Sequence, residues 1–297
     1  MMKKAINQWS FPDTYDLRGC MEVARKAGFE GIELVLVEGS PLSGDGGASD
    51  RVDKGLGISD YQNDEFTLGT SRENIQSLKK MADEIGLKIS SVASVLPFRY
   101  PLTSSDPTIR EKCMSVVVTA LEFASILAAD TILLIPGLVT EEVSYEVAYE
   151  RARSALKELA RVAERVKVNI GIENVWNKFL LSPLEFRNLI DEVGSSYVGA
   201  YFDIGNVLVS GFPDQWIRIL NQRIKKIHIK DFKNDIGNIT GFVPLLAGDL
   251  NWPRTIDALK SVGYDDFLVA EIMPPYRYYP EQLIVETSDA MDKILGR

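Results

Sequence analysis

Short β-branched runs alternate with helical patterns from one end of the 297 residues to the other, eight of each. This alternation constrains the fold more than any other feature. The strand candidates are Lys4–Gln8, Gly31–Val37, Lys88–Ser94, Thr131–Ile135, Asn169–Val175, Val198–Asp203, Lys226–Lys230 and Phe267–Ile272. They are short and apolar throughout, as expected of parallel strands buried on both faces. Between them, Ile109, Cys113, Val116, Val117, Ala120, Leu121, Ala124 and Leu127 recur at helical spacing, as do Ala152, Leu156, Leu159, Ala163 and Val166. Shorter helices fit Tyr15–Ala27, Arg72–Ile85, Pro183–Val193, Asp214–Gln222, Pro253–Val262 and Glu281–Leu295. Asp106-Pro107, Ser182-Pro183 and Trp252-Pro253 read as helix starts, and Ala27-Gly28, Ile85-Gly86 and Val262-Gly263 as stops.

Strict strand–helix alternation implies a parallel α/β sheet. Eight units favour a closed (β/α)₈ barrel, a TIM barrel, which takes about 250 residues. An open doubly wound sheet would place a glycine-rich phosphate loop after the first strand. Trp9-Ser10-Phe11-Pro12-Asp13 stands there instead, without a glycine. No linker divides the chain, so residues 1–297 read as a single domain. One long insertion interrupts it, at residues 38–70, with seven glycines in 33 residues and no clear periodicity. Its place after the second strand puts it on the catalytic face, where a long loop serves as a lid.

Composition narrows the function. The net charge of −9 argues against a nucleic-acid partner. No apolar run approaches the roughly 20 residues that span a bilayer, so no membrane partner is expected. Met1–Lys4 and the polar run to Trp9 lack a signal-peptide core. Cys20 and Cys113 make no disulfide framework, which points to the cytoplasm. His228 is the only histidine, so multi-histidine zinc centres are excluded.

In a barrel of this kind the chemistry sits at the C-terminal strand ends. The fifth strand ends with Glu173, the sixth with Asp203 and the eighth with Glu271, and the seventh carries His228. Three carboxylates gathered at one rim repel unless a cation lies among them. Three oxygens and one nitrogen suit Mn²⁺ first, then Mg²⁺ or Co²⁺, with Zn²⁺ as a further choice.

The motifs Ile172-Glu173-Asn174, Phe202-Asp203-Ile204-Gly205-Asn206, Ile227-His228-Ile229-Lys230-Asp231 and Ala270-Glu271-Ile272 resemble those of the sugar phosphate isomerase/epimerase superfamily, the xylose-isomerase-like barrels. Gly28–Leu34 resembles that family's second-strand entry, and Pro97–Asp106 the loop after the third strand in its ketose-phosphate 3-epimerases. Gly248–Trp252 resembles the turn after the seventh strand, without its second glycine. The resemblance implies one divalent metal held by Glu173, Asp203, His228 and Glu271. It also implies Glu173 and Glu271 as an acid/base pair, moving a proton through a metal-stabilised enediolate of a ketose or ketose phosphate. Free-ketose 3-epimerases of the family carry a second His where Asn206 stands and an Arg shortly after the metal His. Asn206 resembles the phosphate-ketose group instead.

Further substrate-binding candidates are Asn206, Lys230, Glu33, Arg99 and Trp9. Lys230 is either an electrophile toward a sugar oxygen or an ion-pair partner of Asp231 or a metal ligand. Glu33 either contacts substrate hydroxyls or pairs with a barrel lysine. Arg99 offers a bidentate fork to a phosphate, or is a solvated loop residue. Trp9 and Trp252 offer an apolar wall or core packing. Tyr276-Arg277-Tyr278-Tyr279 is read as substrate wall or subunit contact. The expected function is thus a metal-dependent isomerase or epimerase of a small sugar. A sugar or inosose dehydratase, an aldose–ketose isomerase, and a sugar-binding barrel with a structural metal are the rivals. Homo-oligomerisation stays open.

Overall fold

The computed structural model describes residues 1–12, 14–39, 65–272 and 278–297. Eight parallel strands close into one barrel: β1 Lys3–Asn7, β2 Gly31–Val35, β3 Lys88–Ala93, β4 Thr131–Leu134, β5 Asn169–Glu173, β6 Val198–Asp203, β7 Ile224–Ile229 and β8 Phe267–Ala270. Each strand pairs with its neighbours in sequence, and β8 pairs with β1 to complete the ring. Among the described residues, eight longer helices follow the strands: α1 Leu17–Lys26, α2 Arg72–Ile85, α3 Pro107–Leu127, α4 Tyr145–Val166, α5 Pro183–Val193, α6 Pro213–Leu220, α7 Trp252–Ser261 and α8 Glu281–Leu295. This is the single-domain (β/α)₈ barrel expected from the alternation. The loop anticipated over 38–70 falls largely outside the described residues, as do Tyr276 and Arg277.

Local chemistry sets the boundaries. Asp106 and Ser182 cap α3 and α5 by accepting hydrogen bonds from Thr108 N and Glu185 N, each with Pro in the first turn. Gly86 ends α2 in the left-handed conformation, φ 82°, which costs glycine least. Helix α4 begins at Tyr145, well before the Ala152 from which its apolar period is evident. Its first two turns carry Glu146, Glu150 and Arg151, which dilute the apolar signal.

Successive strand residues face opposite ways. Ile6, Ile32, Ile132, Ile170, Ile172, Phe202, Ile227 and Leu268 pack in the main apolar cluster with the helices. The alternate positions Ala5, Leu133, Tyr201, Phe267 and Val269 form a second, smaller cluster, along the barrel axis. Tyr201 is fully buried there, and Gly171 on β5 leaves room for its side chain. A Cβ at Gly171 would lie 2.8 Å from the Tyr201 Cβ. The parity that points Tyr201 inward also points Glu33, Glu173, Asp203, Lys226 and His228 inward.

After β7 the chain folds back as a short antiparallel pair, Asp231–Phe232 with Phe242–Val243. Buried Asp231 fastens this excursion. Its carboxylate accepts hydrogen bonds from Leu246 N at 3.0 Å, Leu250 N at 3.2 Å and Trp252 Nε1 at 3.1 Å. Gly248 admits the carboxylate, since a Cβ there would fall 2.1 Å from Asp231 Oδ1.

Candidate metal centre

Three strand ends and one strand interior converge on one point. Glu173 ends β5, Asp203 ends β6, Glu271 follows β8, and His228 lies one residue inside β7. Register sets Asp203 level with His228, while Glu173 pairs with Tyr201 and Glu271 lies two residues beyond Val269, the partner of His228. His228 Nδ1 lies 3.2 Å from Glu173 Oε1, 3.2 Å from Glu271 Oε2 and 3.8 Å from Asp203 Oδ2. One ligand atom from each of the four lies within 4.8 Å of all the others.

The strand ends are held by a side-chain bracket. Asn174 Nδ2 donates to Asp203 O at 2.8 Å, and its Oδ1 accepts from Asp203 N at 2.9 Å. Asn206 continues it, donating its backbone N–H to Asp203 Oδ1 at 2.8 Å and its side-chain amide to Asn174 O at 2.9 Å. Trp176 Nε1 then donates to Asn206 O at 2.9 Å. The bracketing role of Asn174 and Trp176 escaped the sequence reading. The signal was the Glu-Asn step that closes β5.

Burial raises the Glu173 carboxyl to about 7; His228 opposes the rise, while Glu271 and Asp203 add to it. Asp203 is also raised, chiefly by burial, with the Lys230 ammonium opposing. Burial would raise Glu271 too, but Lys230 and His228 outweigh it and hold Glu271 below the usual carboxylate range. Burial would lower His228; Glu33 and Glu271 instead push it well above the usual imidazole value.

The donor set fits a hard divalent cation. Buried carboxylates this close repel, and a cation among them relieves that repulsion. Asp203 Oδ2 is buried and accepts no hydrogen bond; Lys230 Nζ lies 2.9 Å away, out of hydrogen-bonding alignment.

The substrate candidates scatter. Lys230 follows β7 and donates to Glu271 Oε2 at 2.5 Å, so its partners are two candidate metal ligands and not Asp231. Its ammonium also lies 5.0 Å from the Phe242 ring centroid. A small cavity of about 60 Å³ opens beside it, lined by Phe242, Val243, Pro244, Leu245, Glu271 and Ile272. Glu33 is placed unlike a substrate-contacting residue. It is fully buried, and its carboxylate meets Asn7, Ser91, Tyr201 and His228. Among the described residues it pairs with no lysine. Arg99 ends the short helix Leu96–Arg99 and lies 3.4 Å from Glu38, whose carboxylate Tyr100 and Lys112 also hold. Trp9 is half-buried against the axial apolar cluster, and Trp252 is buried over Asp231. Tyr278 and Tyr279 are exposed. No helix among the described residues is long and apolar enough to cross a membrane.

The family model for the xylose isomerase-like TIM barrel matches residues 21–294. The chain belongs to that family. Among curated relatives, the L-ribulose-5-phosphate 3-epimerase UlaE of Escherichia coli (strain K12) is 23% identical over 245 residues, covering 82% of this chain and 78% of its own. Two solved structures share the fold over nearly the whole chain. An L-ribulose 3-epimerase superposes with a TM-score of 0.76 at 16% identity, covering 100% of this chain and 95% of its own. The D-psicose 3-epimerase of Clostridium cellulolyticum H10, solved with D-tagatose, gives 0.76 at 17% identity, covering 99% of each.

Proposed function

We propose that this xylose isomerase-like barrel is a divalent-metal-dependent isomerase or epimerase of a ketose or ketose phosphate. Glu173, Asp203, His228 and Glu271 hold the metal, and Glu173 and Glu271 form the acid/base pair. One observation carries this reading: four ligand-bearing side chains from consecutive strands, three of them carboxylates, meet within 4.8 Å at the C-terminal mouth. A bound cation would polarise the substrate carbonyl and offset the charge of an enediolate.

The protein's own groups supply the rest. Glu173 and Glu271 lie on strands separated by β6 and β7, so they approach a bound carbon from different sides. One of the two, as the carboxylate, removes the proton next to the carbonyl, and the other, starting as the carboxylic acid, gives its proton to the opposite face, which inverts the centre. Lys230 holds Glu271 and offers its remaining N–H groups to a sugar oxygen. Asn206 offers its side-chain oxygen to a hydroxyl, and Trp9 lines the apolar side. The three relatives named above are 3-epimerases, which supports inversion at the carbon beside a ketose carbonyl.

The test is a panel of ketoses and ketose phosphates incubated with enzyme and Mn²⁺ in D₂O, with deuterium tracked by position. The expected outcome is label at one carbon next to the carbonyl, together with the epimer of the accepted sugar. Epimer formed without solvent label would overturn the solvent-exchanging two-base mechanism. Metal uptake with neither label nor product across the panel would favour a sugar-binding barrel.

A further inference from the structure

We infer that Glu33 is the positioning residue of the proposed metal-binding histidine: its buried carboxylate holds the Nε2 proton of His228, so that with a metal bound Nδ1 is the ring nitrogen that turns its lone pair toward the carboxylate cluster. This rests on the metal reading proposed above.

The two ring nitrogens of His228 have different surroundings. Nδ1 faces Glu173, Asp203 and Glu271, while Nε2 faces away from them and lies 2.7 Å from Glu33 Oε1. A neutral imidazole donates from one nitrogen and accepts at the other, and the tautomer follows from the hydrogen bond made by the nitrogen that does not bind metal. An ionised carboxylate only accepts, so Glu33 selects the proton on Nε2.

The surroundings of Glu33 are arranged to keep it an acceptor. Asn7 Nδ2 donates to Oε1 at 2.5 Å, and Ser91 Oγ and Tyr201 OH donate to Oε2 at 2.7 Å and 2.5 Å. Asn7 cannot turn its amide over without loss, because its Oδ1 accepts from Trp9 N at 2.8 Å. Tyr201 also sets its ring edge-on to the imidazole, with centroids 4.5 Å apart. A buried carboxylate is expensive unless fully hydrogen-bonded. Elsewhere on the axis the barrel uses Ala5, Leu133 and Val269 as filling. A polar set gathered from β1, β2, β3 and β6 beneath one histidine of β7 is accounted for if it fixes that ring. An outer partner of this kind typically changes metal affinity about 10–100-fold when removed.

The single histidine makes the test clean, since long-range ¹H–¹⁵N spectra of the protein contain one imidazole. Wild type loaded with diamagnetic Mg²⁺ or Zn²⁺ is expected to show a proton on Nε2, displaced downfield by its short hydrogen bond. In Glu33→Gln, with an unchanged circular dichroism spectrum, that displacement is lost and metal titration gives about 10–100-fold weaker binding. Tyr201→Phe keeps the aromatic ring but removes one donor to Glu33. Its Nε2 proton is expected to move without a hydrogen bond to the imidazole being touched, and this variant carries the test if Glu33→Gln does not fold. A metal-binding wild type with unaltered affinity and spectrum in Glu33→Gln would overturn the inference and leave the metal centre standing. An unshifted proton in Tyr201→Phe would overturn it equally. A wild type that takes up no metal would defeat the proposed function as well.

Discussion

Strand β7 puts a lysine into each of two charged clusters, and the two are balanced differently. Lys226 lies near the N-terminal end of the barrel, and its side chain is fully buried. It contacts Asp266 and lies 2.9 Å from Asp130, whose side chains are 30% and 59% exposed. Water shares the charge of both aspartates, so the ammonium is satisfied as it stands. Lys230, at the other end, shares its surroundings with His228 and with Glu173, Asp203 and Glu271, which are nearly or wholly buried. Glu33 adds a further carboxylate beneath His228. Without a metal, four carboxylates there face the Lys230 ammonium and a protonated His228. The lower cluster closes a barrel, whereas the upper one is left anionic, as the proposed function requires of a site for a cation. An ion pair tells little by itself; the ratio of charges and their access to water separate a fastening from a site.

The sharpest way to break this comparison is to neutralise the upper cluster. With metal saturating, Glu173→Gln and Glu271→Gln are each expected to lower turnover about 10²–10⁴-fold, the usual cost of a lost positioned base. One of them is expected still to exchange a proton of a single epimer with solvent, which separates a two-base epimerase from a one-base isomerase. Full turnover in either metal-loaded variant would remove that residue from the chemistry.

Lys226→Met probes the lower cluster. We expect a loss of about 1–3 kcal/mol of stability in urea, smaller than for a wholly buried pair because both aspartates reach water. Metal affinity and turnover per folded molecule should stay within twofold of wild type. A large fall in metal affinity would show that the two ends of the barrel are coupled.

The smallest effect concerns pH. The Glu173 carboxyl is raised to about 7 in the folded chain from its ordinary 4.5. The folded protein therefore holds more protons than the unfolded one across that window, so this group's contribution to stability falls as pH rises through it. Glu173→Gln removes the effect. The melting temperature of the metal-free variant is expected to gain on that of metal-free wild type by a few degrees between about pH 4.5 and about pH 7. A constant difference would mean that burial of this carboxylate carries no such penalty.

The barrel was legible because each strand is a short apolar run, buried on both faces, between helices whose capping residues are local. The metal candidates were legible for a related reason: a charged residue interrupting such a run has few fates on a barrel rim. Glu33 was not, because its role depends on a ring 195 positions away in sequence, and nothing in Gly31–Val35 says which of several inward groups it meets. Lys230 was half legible. Its pairing with candidate metal-ligand carboxylates was among the alternatives, but its adjacency to Asp231 in sequence said nothing about Asp231 turning the other way, onto Leu246, Leu250 and Trp252. Arg99 was read without its partner, since Glu38 lies across a long loop.

The Asp231 clasp has a consequence for how such a barrel changes over time. Its carboxylate ties the far end of the excursion to the end of β7, so the tip over residues 233–241 hangs from a closed base. We expect that clasp to shield the ends of β7 and β8 from substitutions in the tip, although Phe242 just after it lies 5.0 Å from the Lys230 ammonium. The barrel would then carry a replaceable stretch beside its candidate metal centre, where sequence can change while the strand ends below stay in register.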